Sequence, residues 1–155
     1  MKTVGIFTTN KNFIHDWIEW TISHYNVQDI TTTKQFIAKN DICVEFSNGD
    51  CYRWIRPNSR GQKVTDAIID IATCSCDEIS TIILPLIINF EREPKITIVD
   101  SHSDKKYYDI DTLIDRLEKI RLIKGNIEIG YDDSEWGYTD IGDMAVSEDG
   151  CLILR

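Results

Sequence analysis

The chain has 155 residues, of which 42% are apolar and 28% are charged. This length suits one ordinary domain, and the composition excludes a disordered or low-complexity chain. The net charge is −9. Such a charge argues against direct binding to nucleic acid or to an anionic membrane surface, because both attract a surplus of Lys and Arg.

Residues 3–9, "TVGIFTT", predict a buried strand at the start of the chain. Asn10 is placed to cap a following helix, in which apolar residues recur every three or four positions from Ile14 to Tyr25. Strand followed by helix is the pattern of a sheet with a helix packed on it.

Residues 41–57, "DICVEFSNGDCYRWIRP", predict a β-hairpin. Two β-rich runs flank Asn48-Gly49, a dipeptide typical of the two-residue type I′ turn. This turn would pair Val44 with Arg53 and leave one face mostly apolar. The other face would then present Glu45, Tyr52, Trp54 and Arg56.

Two further strands are predicted at 67–72, "AIIDIA", and at 95–101, "KITIVDS". Between them, Asp77 is placed to cap a helix that Pro85 shortens or kinks. The first hundred residues therefore predict an α/β (α+β) fold: a mixed sheet with packed helices and a β-hairpin.

The remaining residues predict a small, acidic α+β segment over 104–155. An amphipathic helix ends at Gly125, and its apolar stripe is Ile110, Leu113, Ile114, Leu117 and Ile120. Two strand-like runs follow, the second interrupted by an Asp-Gly turn. We expect this helix-on-antiparallel-sheet segment to dock on the core formed by residues 1–103.

The cysteines and the apolar segments predict a reduced, cytoplasmic protein without a cofactor. The cysteine count is five, without framework spacing, and the one close pair, Cys74-Ser-Cys76, is not accompanied by paired histidines. Residues 79–88 are too short to span a bilayer, and Met1-Lys2 leads into a strand, not a signal peptide. We therefore expect no metal site and no membrane segment.

Six short motifs follow one another along the chain in this order: "VGIFTTN", "VEFSNGDCYRW", "SRG", "AIID", "CDEISTIILPLI" and "KITIVDS". Together they resemble the central part of the P-loop ATPase core of phage large terminase subunits, over residues 3–101. The resemblance implies a phage origin, a Walker B strand that ends at Asp70, and a sensor strand at 95–101.

The chain departs from that family where the chemistry would lie. It contains no G-x-x-x-x-G-K-[ST] loop to hold phosphates, and Ile71 stands where the family places its catalytic Glu. We therefore predict a degenerate ATPase-like core and a protein that is not an enzyme.

The leading hypothesis is a non-catalytic phage or mobile-element protein that binds and inhibits, or modulates, a host protein that handles nucleic acid. Its partner would be a nuclease or similar enzyme, as for anti-CRISPR and other anti-defence proteins. Residues 126–155 contain eight acidic residues and one basic residue, and such a surface can imitate a phosphate backbone. The predicted partner-binding residues are Tyr52, Trp54, Arg56, Asp132, Asp133, Glu135, Trp136 and Tyr138.

The alternative is a degenerate terminase-like protein that binds nucleotide or assists DNA packaging. It would use Arg60 and Asp70, the residues that the resemblance aligns with the ATP site. The exposed face predicted for the hairpin would also suit a homodimer.

Overall fold

The computed structural model describes the whole chain except residues 39–40, 57–61, 103–108, 128–129, 134–136, 141–143, 147–151 and 155. From residue 130 onward it describes strand backbones. The chain divides into two compact units, Met1–Ile123 and Lys124–Arg155.

The first unit contains a six-stranded mixed sheet, which confirms the predicted fold class. Its strands are β1 (Thr3–Phe7), β2 (Thr32–Ala38), β3 (Asp41–Phe46), β4 (Cys51–Trp54), β5 (Asp66–Asp70) and β6 (Ile96–Val99). The spatial order is β2-β3-β4-β1-β5-β6. Strands β4, β1, β5 and β6 are parallel, and β3 pairs antiparallel with β2 and β4. The edge strand β2 is an element that the sequence patterns did not predict.

Helix α1 (Lys11–Asn26) covers one face of the sheet. Asn10 caps it as predicted, since its side chain accepts a hydrogen bond from the amide of Phe13. Ile14, Ile18 and Tyr25 are buried along its inner side. They pack in a cluster with Val4, Ile6, Ile42, Val44, Phe46, Tyr52, Trp54 and Ile68.

Short helical turns cover the opposite face: α2 (Cys76–Glu78), a π-helical turn (Ile79–Ile83) and α3 (Leu84–Leu86). The predicted cap, Asp77, is wrong: Ser75 caps α2 in a reciprocal capping box with Glu78. Their core cluster contains Phe7, Ile55, Val64, Ala67, Ile69, Cys74, Ile79 and Ile83, and Ile123 packs against it.

The hairpin register differs by one residue from the predicted one. The loop has three residues, 47–49, because the Phe46 amide donates to the Asp50 carbonyl at 2.9 Å. Gly49 has a φ of 86° whereas Asn48 does not have a positive φ, so a type I′ turn is not formed. Val44 consequently pairs with Tyr52. A shift of one residue moves a strand's side chains to the other face, and Tyr52 and Trp54 join the buried cluster.

Helix α4 (Ile110–Lys124) is rotated relative to the predicted buried stripe. Ile110, Ile114 and Leu117 are 66%, 48% and 39% exposed, whereas Lys119 is buried. Arg116 and Lys119 turn inward because both donate to the carbonyl of Ile71, directly after β5. The stripe prediction is wrong for Ile110, Ile114 and Leu117, whereas Leu113 and Ile120 are half-buried. Polar anchors, which carry no hydropathy signal, set the rotation of this helix.

In its described residues, the second unit contains two antiparallel strand pairs. Strand β7 (Gly130–Asp133) pairs with β8 (Gly137–Asp140), and β9 (Met144–Val146) pairs with β10 (Leu152–Leu154). The unit begins at Lys124, so α4 up to Ile123 belongs to the first unit, whereas the sequence patterns placed the boundary between residues 103 and 104. In the described ranges, no helix combines the length and hydrophobicity needed to cross a membrane.

Candidate functional site

Asp70 lies fully buried at the carboxyl end of β5. One of its oxygens, Oδ2, accepts hydrogen bonds from the hydroxyls of Thr8 (2.6 Å), Thr73 (2.9 Å) and Ser101 (2.7 Å). The other, Oδ1, accepts from the amides of Ala72 (3.1 Å) and Ser101 (3.0 Å). A buried carboxylate is stable when such donors compensate its charge.

These donors come from the segments that follow three neighbouring parallel strands: Thr8 after β1, Thr73 after β5 and Ser101 after β6. Open α/β sheets commonly bind ligands at this edge. Here, Asp70 ties the three segments together, and a magnesium ion would have to displace hydroxyl or amide donors to reach it. In this structure both oxygens of Asp70 are occupied by hydrogen bonds within the chain.

Helix α4 closes the same edge of the sheet. The carbonyl oxygen of Ile71 accepts hydrogen bonds from Arg116 Nη1 at 2.7 Å and from Lys119 Nζ at 3.0 Å. Arg116 Nε also donates to Asp100 after β6, and Lys119 Nζ to Asp115. The position that the terminase resemblance assigns to a catalytic Glu is therefore a buried Ile whose backbone anchors a helix. Arg60, the second residue of the nucleotide hypothesis, lies outside the described residues.

Tyr52 and Trp54 are buried, so the prediction that the hairpin presents them on an exposed face is wrong. Trp54 Nε1 donates to the carbonyl of Thr8 at 2.9 Å, which joins the hairpin to the end of β1. Arg56 is half-buried, with its guanidinium 4.9 Å from the centre of the Trp54 ring. Both aromatic residues therefore belong to the core, and the one-residue register shift is the cause.

Tyr52 takes part in a polar network at the amino end of the same sheet. The Tyr25 hydroxyl donates to Asp50 Oδ2 at 2.8 Å and lies 3.3 Å from the Tyr52 hydroxyl. Burial and then the hydrogen bonds to Tyr52 and Asp50 raise the pKa of Tyr25. Burial alone would raise the pKa of Asp50, but hydrogen bonds from Tyr25 and from the Lys2 amide hold it below its ordinary value.

A cleft of about 560 Å³ lies beside this network, between α1 and the amino ends of the parallel strands. Trp17 and Trp20 line it from the helix, and Asp66, Arg92 and Lys95 line it from the sheet. Trp17 Nε1 is buried there without a hydrogen-bond partner among the described residues.

The predicted acidic surface falls in the second unit. Asp132 and Asp133 lie in β7, and Tyr138 lies in β8, where its Cα is the register partner of Asp132. Glu135 and Trp136 lie outside the described residues. The backbone thus brings Asp132 beside Tyr138, and the prediction of a partner-binding surface stays a prediction.

The exposed side of α4 is a feature that the sequence patterns did not identify as a surface. Ile110, Ile114 and Leu117 are spaced four and three residues apart, so they lie along one side of the helix. The side chains of Arg116 and Lys119 project from the other side to the Ile71 carbonyl, directly after β5. The apolar stripe in the sequence predicted the opposite orientation, with Ile110, Ile114 and Leu117 buried.

Comparison of the chain with protein-family models, with curated proteins and with solved structures found no match.

Proposed function

We propose that this chain is a non-catalytic phage or mobile-element protein that works in the cytoplasm of a bacterial host. It binds a host protein that handles nucleic acid and inhibits or modulates it. The class of partner we propose is a basic protein such as a nuclease, as in anti-CRISPR and other anti-defence systems. The chain itself does not contact nucleic acid.

The observation that carries this proposal is the exposed side of α4, formed by Ile110, Ile114 and Leu117. Arg116 and Lys119 fix the rotation of the helix through the Ile71 carbonyl. The exposed side chains therefore stand on a helix that two hydrogen bonds anchor at the end of β5. Apolar side chains grouped on an exposed helix are typical of protein-binding surfaces.

Charge supports a basic partner. The acidic segment follows α4 directly in the chain, and residues 126–155 carry a net charge of −7 out of a total of −9. A strongly acidic segment attracts the positive groove of a nucleic-acid-binding protein and accelerates their association. Apolar contacts on α4 would supply affinity, and Asp132, Asp133 and Glu135 would supply selectivity for a basic partner.

The alternative, a degenerate terminase-like protein that binds nucleotide or assists packaging, has less support. Both oxygens of Asp70 already accept hydrogen bonds from five donors. A site for Mg²⁺-ATP would need those oxygens free to approach the metal and its bound waters.

The first test is affinity capture of the tagged chain from bacterial host lysate, followed by reconstitution with the purified partner. The surface variant is Ile114→Gln with Leu117→Gln. The matched control is Leu122→Gln, which changes a 42% exposed residue on another side of the same helix. We expect the wild type and the control to bind and inhibit a nucleic-acid enzyme, and the surface variant to lose at least tenfold in affinity.

Equal binding and inhibition by the surface variant would refute the role of α4. Charge reversal at Asp132, Asp133 and Glu135 tests the acidic segment separately: the affinity should fall and lose most of its dependence on salt. Self-association of the purified chain that depends on Ile114 and Leu117 would instead identify a homodimer. Saturable binding of Mg²⁺-ATP would favour the alternative.

A further inference from the structure

The hairpin carries a group of sulfur and carboxylate ligands on the face of the sheet that α1 does not cover. Val44 and Phe46 of β3 point into the cluster beneath α1. Successive side chains of a strand alternate between faces, so Cys43 and Glu45 project to the other side. Cys51 of β4 is the register partner of Glu45 and joins them there.

The ligand atoms are already close enough to share one metal ion. Cys43 Sγ lies 3.6 Å from Cys51 Sγ, and these atoms and a carboxylate oxygen of Glu45 lie within 4.8 Å of one another. Two Zn–S bonds of about 2.3 Å at a tetrahedral angle place the sulfurs about 3.8 Å apart. The observed separation is therefore near that required for two thiolates on one zinc ion, whereas a disulfide requires about 2.05 Å.

The neighbouring cations are placed as supports for such a site. Lys34 Nζ donates to Glu45 Oε1 at 3.1 Å, which helps to hold the carboxylate in place. Arg53 Nη2 lies 3.9 Å from Cys43 Sγ. Two thiolates and one carboxylate carry one more negative charge than a divalent ion neutralises, and one of the two neighbouring cations is enough to balance it. Outer contacts of this kind orient ligands and raise metal affinity.

We propose that Cys43, Cys51 and Glu45 form a binding site for a thiophilic divalent cation of the zinc class. Two sulfur ligands select such a metal over Mg²⁺ or Ca²⁺, which prefer oxygen alone. With three protein ligands, the fourth position of a tetrahedral ion is open to water or to a side chain of a bound partner. Cys43 is buried, while Cys51 and Glu45 are half-buried, so the metal has a route from solvent.

The test is titration of the reduced, metal-free full chain with Co²⁺, whose visible absorption reports tetrahedral thiolate coordination. We expect one equivalent to bind and Zn²⁺ to displace it. Cys43→Ser with Cys51→Ser should abolish the absorption. The matched control, Cys76→Ser with Cys151→Ser, removes the same number of thiols outside the proposed ligand set and should leave the absorption unchanged. Glu45→Gln should weaken metal binding by at least about tenfold. Loss of a direct ligand should cost no less than loss of an outer contact, for which tenfold is the lower end of the range.

Absorption that is equal in the double Cys43/Cys51 variant, or that requires Cys76 or Cys151, would overturn the site. So would the absence of saturable Co²⁺ binding in the wild type. Circular dichroism checks that each variant is folded. If the double variant does not fold, Cys51→Ser alone serves, because Cys51 is half-buried. Thermal unfolding is a second measurement. Zn²⁺ should raise the Tm of the wild type and of the Cys76/Cys151 control, but not that of the Cys51→Ser variant.

Discussion

Two buried aspartates at opposite ends of β5 are stabilised by different chemistry. Asp70, at the carboxyl end, is surrounded by neutral hydroxyl and amide donors. Asp66, at the amino end, accepts from Arg92 Nη2 at 2.6 Å and from the Lys95 amide at 2.7 Å. The first aspartate lies beneath an anchored helix, whereas the second borders an open cleft.

The different partners of Asp70 and Asp66 indicate which end of the sheet should tolerate substitutions better. The neutral donors around Asp70 come from three chain segments and share this one carboxylate as their acceptor. Loss of the carboxylate therefore leaves several buried donors without a hydrogen-bond partner. At Asp66, much of the compensation comes from Arg92, a side chain that is 49% exposed and can turn to solvent. We therefore expect changes at the carboxyl end to be costly, and changes at the amino end to depend on pH and salt.

Asp70→Ala should have the largest effect, a loss of about 4 kcal/mol in the free energy of unfolding, or failure to fold. The hydroxyls of Thr8, Thr73 and Ser101 and two amides would lose their acceptor. Urea unfolding at pH 7 measures the loss.

Thr73→Val is a smaller change at the same site and is compared with Asp70→Ala. It removes one of the five donors and leaves the carboxylate in place. Its expected cost is about 1 kcal/mol. If Asp70→Ala is no more destabilising than Thr73→Val, the carboxylate does not hold the strand ends together, and the alternative of a functional Asp70 gains support.

Trp54→Phe should come next, with a loss of about 1–2 kcal/mol. It removes the hydrogen bond from Nε1 to the Thr8 carbonyl and part of a buried ring, again at the carboxyl end. Trp20→Phe is the matched control, because Trp20 is 60% exposed and its substitution should stay within about 0.5 kcal/mol. Equal effects in urea unfolding would mean that Trp54 is not buried, which would restore the predicted hairpin surface.

The sequence predicts the fold well where hydropathy and capping residues act together. The buried strands at Thr3–Phe7 and Asp66–Asp70, the cap at Asn10 and the inner side of α1 were all foreseeable. Strand β2 was not, because its side chains are mostly exposed and carry no apolar pattern. An edge strand held by backbone pairing to β3 has little signature in the sequence.

The candidate sites were predicted less well, because they depend on contacts between distant residues. One extra residue in the hairpin loop moved Tyr52 and Trp54 into the core. Nothing in the local sequence around Asp70 shows that Thr8 and Ser101 converge on it. The Cys43–Cys51 pair was equally hidden, since its spacing in sequence follows no zinc motif and only the β3–β4 register brings the sulfurs together.

Asp66→Asn should cost about 1–2 kcal/mol at pH 7, and this cost should disappear in acid. Burial opposes ionisation, but the hydrogen bonds from Arg92 and the Lys95 amide keep the pKa of Asp66 below its ordinary value. The stabilisation is therefore fully present above the unfolded pKa of about 3.9 and is lost as the pH falls through the lower folded pKa. Urea unfolding from pH 7 down to pH 2 should show the two proteins converging, and a constant difference would contradict this account.

Arg92→Gln should have the smallest effect, below that of Asp66→Asn, because the Lys95 amide still donates to Asp66. The size of this effect should depend on salt. In dilute buffer the variant should be less stable than the wild type, and in about 1 M salt, where the Debye length is about 3 Å, most of the difference should vanish. Arg92→Lys keeps the positive charge but loses the guanidinium. In dilute buffer its stability should lie between that of the wild type and that of Arg92→Gln. The cost of Thr73→Val should be the same at both salt concentrations, because its donor is neutral. A salt-dependent cost for Thr73→Val, or a salt-independent one for Arg92→Gln, would mean that the two ends of β5 are stabilised by the same kind of interaction.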